Sequence, residues 1–209
     1  MTRPRFDNAA CETLAGCIKE IERNTDAELV VVVRGRSASY AHADYLFGFT
    51  VAFVVLLVIL FVPFPFPEYF VPIDVALAFA VGAIISWRSN TVRRLFSTEK
   101  FRNKSVRTAA AAMFYEAGIA NTNAEMGVLI YLSLMERRLE LIADRGILKK
   151  VPAHDWNHQL FELHQRGKNP DPNKFQTAIE EFGRVLAAHV PATGENPNEL
   201  PDMPRFELK

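Results

Sequence analysis

The chain has 209 residues, and its 24 Lys+Arg are balanced by 24 Asp+Glu, so it is neither a basic nucleic-acid binder nor an acidic solvating tail. Hydrophobic residues make up 49% and aromatic residues 11% of it, which excludes a disordered chain. Such a length suits one medium domain, or a small domain with a membrane anchor, and the placement of the apolar residues decides between them.

In chain order, Ala10, Leu14, Ile18 and Ile21 recur at helical spacing and predict an amphipathic helix near residues 6–23. Residues 29–33, LVVVV, predict a central strand buried on both faces. From Tyr45 to Pro67 no residue is charged. A helix over 45–66 would be about 33 Å long at ~1.5 Å per residue, enough to cross a hydrocarbon core. Pro63, Pro65, Pro67 and Pro72 break the pattern. A second run, 70–87, holds only Asp74, placed near the outer interface, and would reach about 27 Å. Neither run leaves a polar stripe, so a transmembrane hairpin is expected rather than a pair of core helices.

Basic residues orient that hairpin. The turn carries Glu68 and no Lys or Arg, whereas Arg88, Arg93, Arg94, Lys100, Arg102, Lys104 and Arg107 follow the second run, and Arg34 and Arg36 precede the first. Positive residues stay on the cytoplasmic side, so both termini are expected in the cytoplasm, in a multi-pass protein of the cell (inner) membrane. Tyr45, Tyr69 and Trp87 fall at interfacial positions. No apolar core marks a signal peptide in MTRPRFDNAACETLAG. Against a bilayer, Arg88, Arg93, Arg94, Lys100, Arg102 and Lys104 are expected to face anionic lipid headgroups, not nucleic acid.

Beyond the hairpin, Val106, Ala110, Met113, Phe114 and Ala117 line one side of a long helix, stopped at Gly118 and Ile119. Residues 127–134 and 139–143 predict two strands joined by a tight, charged turn at 135–138. Pro152 opens a helix with Trp156, Leu160 and Leu163 facing inward and Gly167 at its end. Asp171 and Pro172 cap a last helix with Phe175, Ile179, Phe182 and Leu186, halted by Pro191. Pro197, Pro201 and Pro204 mark the tail as an extended strap or a flexible end. The expected organisation is 1–44 and 88–191 as two parts of one α/β domain, 45–87 as the hairpin and 192–209 as a Pro-rich tail. An apolar strand at 29–33 can pair with later strands only if an even number of spans separates them.

The stretches DAELVVVVRGRSASY (26–40) and GVLIYLSLMERRLELIADRGI (127–147) resemble the TPM-domain family, and Trp156 with the closing HVP and NELPD (189–191 and 198–202) resembles its membrane-anchored bacterial branch. The resemblance implies a three-layer α/β fold with a small mixed sheet sandwiched between helices, here interrupted by the transmembrane hairpin. That family includes thylakoid proteins of photosystem repair and a receptor-accessory protein, and some of its members are weak acid phosphatases or divalent-cation binders. Where many secreted members carry a Gly-Tyr-Gly-like stretch, this chain has Ala143-Asp144-Arg145-Gly146-Ile147.

Chemistry has few candidate positions. Asp144 at a strand exit suits a hard cation, Ca²⁺ or Mg²⁺, and Arg145 a phosphate clamp; the alternative is a structural turn in which Asp144 caps and Gly146 is left-handed. Glu136, Arg137, Arg138 and Glu140 offer a partner-binding surface or an acid/base carboxylate, the alternative being a solvated hairpin tip. His154 and His158 stand at i, i+4 around Asp155, a spacing able to hold a transition metal, but no third ligand follows at a diagnostic spacing, so structural histidines are expected. Cys11 and Cys17 project about 240° apart around one helix and are expected as reduced thiols. Three functions compete: an accessory, assembly or quality-control factor for another membrane protein; a weak cation-dependent acid phosphatase; and a sensor of anionic lipid surfaces.

Overall fold

A computed structural model describes residues 6–63, 67–122, 124–194, 199–201 and 203–208. Phe66 at the end of the first expected span, Pro65 and Pro197 of the Pro-rich segments, and Asn198 and Asp202 of the closing motif lie outside them. The chain falls into two compact units: Met1–Ser37 with Asn103–Lys209, and Ala38–Arg102.

The first unit is a mixed sheet between helices. Its strands are β1 (Glu28–Arg34), β2 (Gly127–Ser133), β3 (Arg138–Ala143) and β4 (Arg205–Glu207), in the order β3-β2-β1-β4. β1 runs parallel to β2 over its whole length, from Glu28 opposite Gly127 to Arg34 opposite Ser133. β3 is antiparallel to β2 and β4 parallel to β1. Parallel neighbours need a long crossover, and here the connection carries the entire second unit.

Side chains of β1 alternate between two cores, which is why LVVVV is apolar without interruption. Leu29, Val31 and Val33 meet α1 (Asn8–Asn24), α7 (Ala153–Lys168) and α8 (Pro172–His189) through Leu14, Ile18, Leu163, Phe182 and Leu186. Val30 and Val32, with Leu129 and Tyr131 of β2, meet Val106, Ala110, Met113 and Phe114 of α5 (Glu99–Glu116). All five aliphatics of β1 are at most 4% exposed, and burying each contributes about 1.5–3 kcal/mol before entropy is counted. Asp7 caps α1 by accepting from the Ala10 N–H at 3.0 Å, and Asp171 caps α8 as its sequence predicts. Gly118 takes a φ of 73° where α5 ends, the left-handed stop expected there.

Two differences from the sequence reading concern short elements. The extended alternative for the tail is realised at residues 205–207 as a strand the sequence did not mark, β4, which joins the sheet as Arg34 pairs with Glu207 at 2.8 Å. The stretch after Asp144 is a short helix, α6 (Arg145–Lys150), rather than a bare turn.

In the second unit, α2 (Ala41–Phe61) and α3 (Val71–Arg88) form a helical hairpin followed by α4 (Asn90–Leu95). Small residues let the two long helices touch. A Cβ on Gly48 would lie 2.9 Å from the Phe79 carbonyl oxygen, and one on Gly82 would lie 3.0 Å from the Gly48 Cα. The large apolar side chains point the other way, Phe49 and Leu60 being 65% and Phe61 80% exposed. Both helical segments are long and apolar enough to cross a membrane, and only 17% and 11% of their apolar stretches are buried in the fold. Core helices of a soluble protein would show the reverse.

Candidate functional site

Asp144 ends β3 and begins α6. Its Oδ1 accepts from the Arg145 N–H at 2.7 Å, so the carboxylate is a helix cap; Oδ2 is buried and has no hydrogen-bond partner among the described residues. Gly146 is not left-handed. A Cβ there would come 2.5 Å from the Glu125 carbonyl oxygen, to which Gly146 N donates at 3.0 Å, so glycine is required by a close backbone approach. Arg145 is exposed. Among the described residues no group of three or more His, Cys, Asp or Glu side chains is arranged to hold a metal ion, and Ca²⁺ ordinarily gathers about 6–8 oxygens.

The charged hairpin turn divides. Arg137 is exposed, with φ 53°. Glu136, expected either at a partner surface or in solvent, is only 6% exposed. Its Oε1 accepts from the Ser37 N–H at 2.7 Å and its Oε2 from the Ser133 hydroxyl. Ser37 Oγ donates to Ser133 Oγ at 2.9 Å and lies 3.0 Å from the Tyr131 hydroxyl. The carboxylate thus ties the chain leaving β1 to the end of β2. Sequence reasoning missed Ser37, Tyr131 and Ser133, because Ser37 is 99 positions from Glu136 and a Tyr and Ser inside an apolar strand carry no periodic signal.

Arg138 and Glu140 go elsewhere. With Ile142 they share one face of β3 and line a groove of about 740 Å³. Lys104 and Arg107, one turn apart on α5, form its opposite wall, and Leu148, Trp156 and His164 complete it. Three cations thus face one carboxylate. Arg138 Nε is 3.8 Å from Glu140 Oε1, too long for a hydrogen bond, and like His164 Nε2 it is buried with no hydrogen-bond partner among the described residues. Burial pushes the His164 pKa down; Glu140 and a backbone hydrogen bond with Leu139 oppose the shift, and Arg138 and Lys168 add to it.

The six basic residues expected at lipid headgroups separate in the same way. Arg93 is a correction: it is 5% exposed and donates through Nε and Nη2 to Asp44 Oδ1 and Oδ2 at 2.9 and 2.7 Å. The Ser86 hydroxyl adds a third bond to Oδ1 at 2.8 Å. Arg102 turns its guanidinium onto the Arg94 carbonyl at 2.7 Å and onto Ser97. Arg94 is half-buried, and Lys104 lies in the groove. Arg88, 5.6 Å from the Trp87 ring, and Lys100 are exposed.

His154 is joined to Asp155 at 3.2 Å, and so is His189 at 3.0 Å, through Nε2. His189 entered the sequence reading only as part of the closing HVP, yet it links the end of α8 to the start of α7. The hydrogen bond with His154, then that with His189, holds the Asp155 carboxyl below its ordinary pKa. Both cysteines are free, and burial raises the buried Cys17 thiol to about 11.

No family model matches the sequence, and no curated protein does. Among solved structures, the chain is similar to the BA42 protein of the psychrophilic bacterium Bizionia argentinensis, determined by NMR. The TM-score is 0.58 at 16% identity, over 97% of this chain and 96% of that one. At that identity the likeness is one of fold.

Proposed function

We propose that the chain is a membrane-anchored protein of the TPM type, whose α/β unit works at the cytoplasmic face of the cell (inner) membrane as an accessory, assembly or quality-control factor for another membrane protein. The observation that carries this reading is the inverted polarity of the α2–α3 hairpin, with small residues inside and Phe49, Phe53, Leu60 and Phe61 outside. Water does not tolerate such a surface at this extent, whereas a bilayer covers it without cost. The basic residues after α3 favour a cytoplasmic location for both ends. The cation-dependent phosphatase finds no comparable support, since Asp144 caps a helix and no set of metal ligands surrounds it among the described residues.

Gentle extraction of the tagged chain from its own membranes, followed by native-gel migration, tests the reading. Retention in the membrane pellet at alkaline pH and migration with one large membrane assembly are expected. Release at alkaline pH would end the anchor, and migration alone or as a small homo-oligomer would end the accessory role.

A further inference from the structure

The groove along β3 has features that a structural crevice does not need. Its two walls come from different elements, Lys104 and Arg107 from α5 and Arg138 from the edge strand β3. Among the described residues that line the groove, Glu140 is the carboxylate that answers their positive charge. Two buried polar nitrogens at its wall, Arg138 Nε and His164 Nε2, have no hydrogen-bond partner among the described residues, and such atoms ordinarily find one. Between the charges the surface is apolar, with Ile142, Leu148 and Trp156 on it. Cations around an apolar floor, extended along a strand edge, suit a chain that carries both carboxylates and apolar side chains.

We propose that this groove docks an acidic, partly apolar peptide segment of a partner protein. The carboxylates of the segment pair with Lys104, Arg107 and Arg138, and its apolar residues lie on Trp156 and Leu148. This deepens the accessory reading and rests on it, because it names the kind of segment the partner presents. A lipid headgroup or free phosphate would use the cations but leave the apolar floor uncovered, which favours the peptide.

The test uses the full chain in neutral detergent, with Trp87→Phe so that Trp156 is the remaining tryptophan. The probe is a short, end-capped peptide of alternating leucine and glutamate. A saturable change in Trp156 fluorescence is expected, weakened by added salt. Lys104→Glu with Arg107→Glu, both at exposed positions, should weaken binding about tenfold, with an unchanged unfolding midpoint showing that the fold persists. Equal binding of the leucine–glutamine analogue would overturn the proposal, as would no change with the acidic peptide. Stronger binding of dihexanoyl phosphatidylserine or of inorganic phosphate than of the peptide would assign the groove to lipid or to phosphate and equally overturn it. Co-migration with a membrane assembly alongside failed peptide binding would leave the accessory reading standing and remove the groove from it.

Discussion

Glu136 is a carboxylate placed where the hairpin tip should be wet, yet two of its acceptor sites are taken by Ser37 N–H and the Ser133 hydroxyl. Removing it leaves a backbone N–H without an acceptor beside a side chain, Ser133, that has no exposed surface. Such an orphaned group costs about 1–3 kcal/mol. Glu136→Ala is therefore expected to lower the urea midpoint by an amount equivalent to about 2 kcal/mol, and Glu136→Gln, which keeps one carbonyl acceptor, by less. Equal midpoints for wild type and Glu136→Ala would show that the network carries no weight. A charged residue in a turn reads as solvated because composition reports polarity and not direction. What reverses it here is a partner brought close by the parallel pairing of β1 with β2, which no local spacing encodes.

Among the elements, those with long uninterrupted patterns were legible. β1, β2, α3 and α8 lie where periodicity, apolar runs and caps put them, because each pattern spans several turns or a full strand, whereas α2 occupies Ala41–Phe61 instead of the expected 45–66, since an uncharged run marks an apolar stretch and not the helix ends. The three-residue β4 and the six-residue α4 and α6 are too short for a period to register. Contacts between elements were least legible of all. Asp44 opens α2, Ser86 ends α3 and Arg93 sits in α4, and the three meet in one buried cluster. Arg93, read as a lipid-facing cation, instead neutralises the one carboxylate of the α2 first turn. Taking away one member of such a pair strands a charge and costs about 3–5 kcal/mol, whereas replacing both by apolar or neutral groups costs far less. Arg93→Met alone should therefore lower the thermal midpoint in micelles strongly, and Arg93→Met combined with Asp44→Asn should recover much of the loss. Additive losses in the double variant would mean that the two side chains act independently.

At the scale of the whole molecule, the sheet is built from segments on either side of the second unit in sequence, and the groove likewise joins α5, β3 and α7. That assembly makes His164 a reporter of acid stability, since a helix residue there is held neutral by burial against an edge strand. The charged groups that act on it are Glu140 and Arg138 of β3 and Lys168 of its own helix; Lys104 and Arg107 line the same groove. Its folded pKa lies below the ordinary value of 6.5, so on acidification the unfolded chain takes up the proton first. Stability contributed by the neutral ring is complete above that ordinary value and declines as pH falls through it. Asp155 acts in the same direction at lower pH. Its folded pKa is depressed from 3.8, so its contribution persists above that value and is lost as pH falls further. Thermal unfolding of the full chain in micelles should thus show a midpoint that is steady between about pH 8 and pH 7 and lower at about pH 5. His164→Gln should flatten that decline while leaving the further loss below about pH 4, which Asp155→Asn should reduce instead. A midpoint that rises on acidification from neutral pH, or a decline that His164→Gln leaves intact, would place the acid-sensitive group outside the groove.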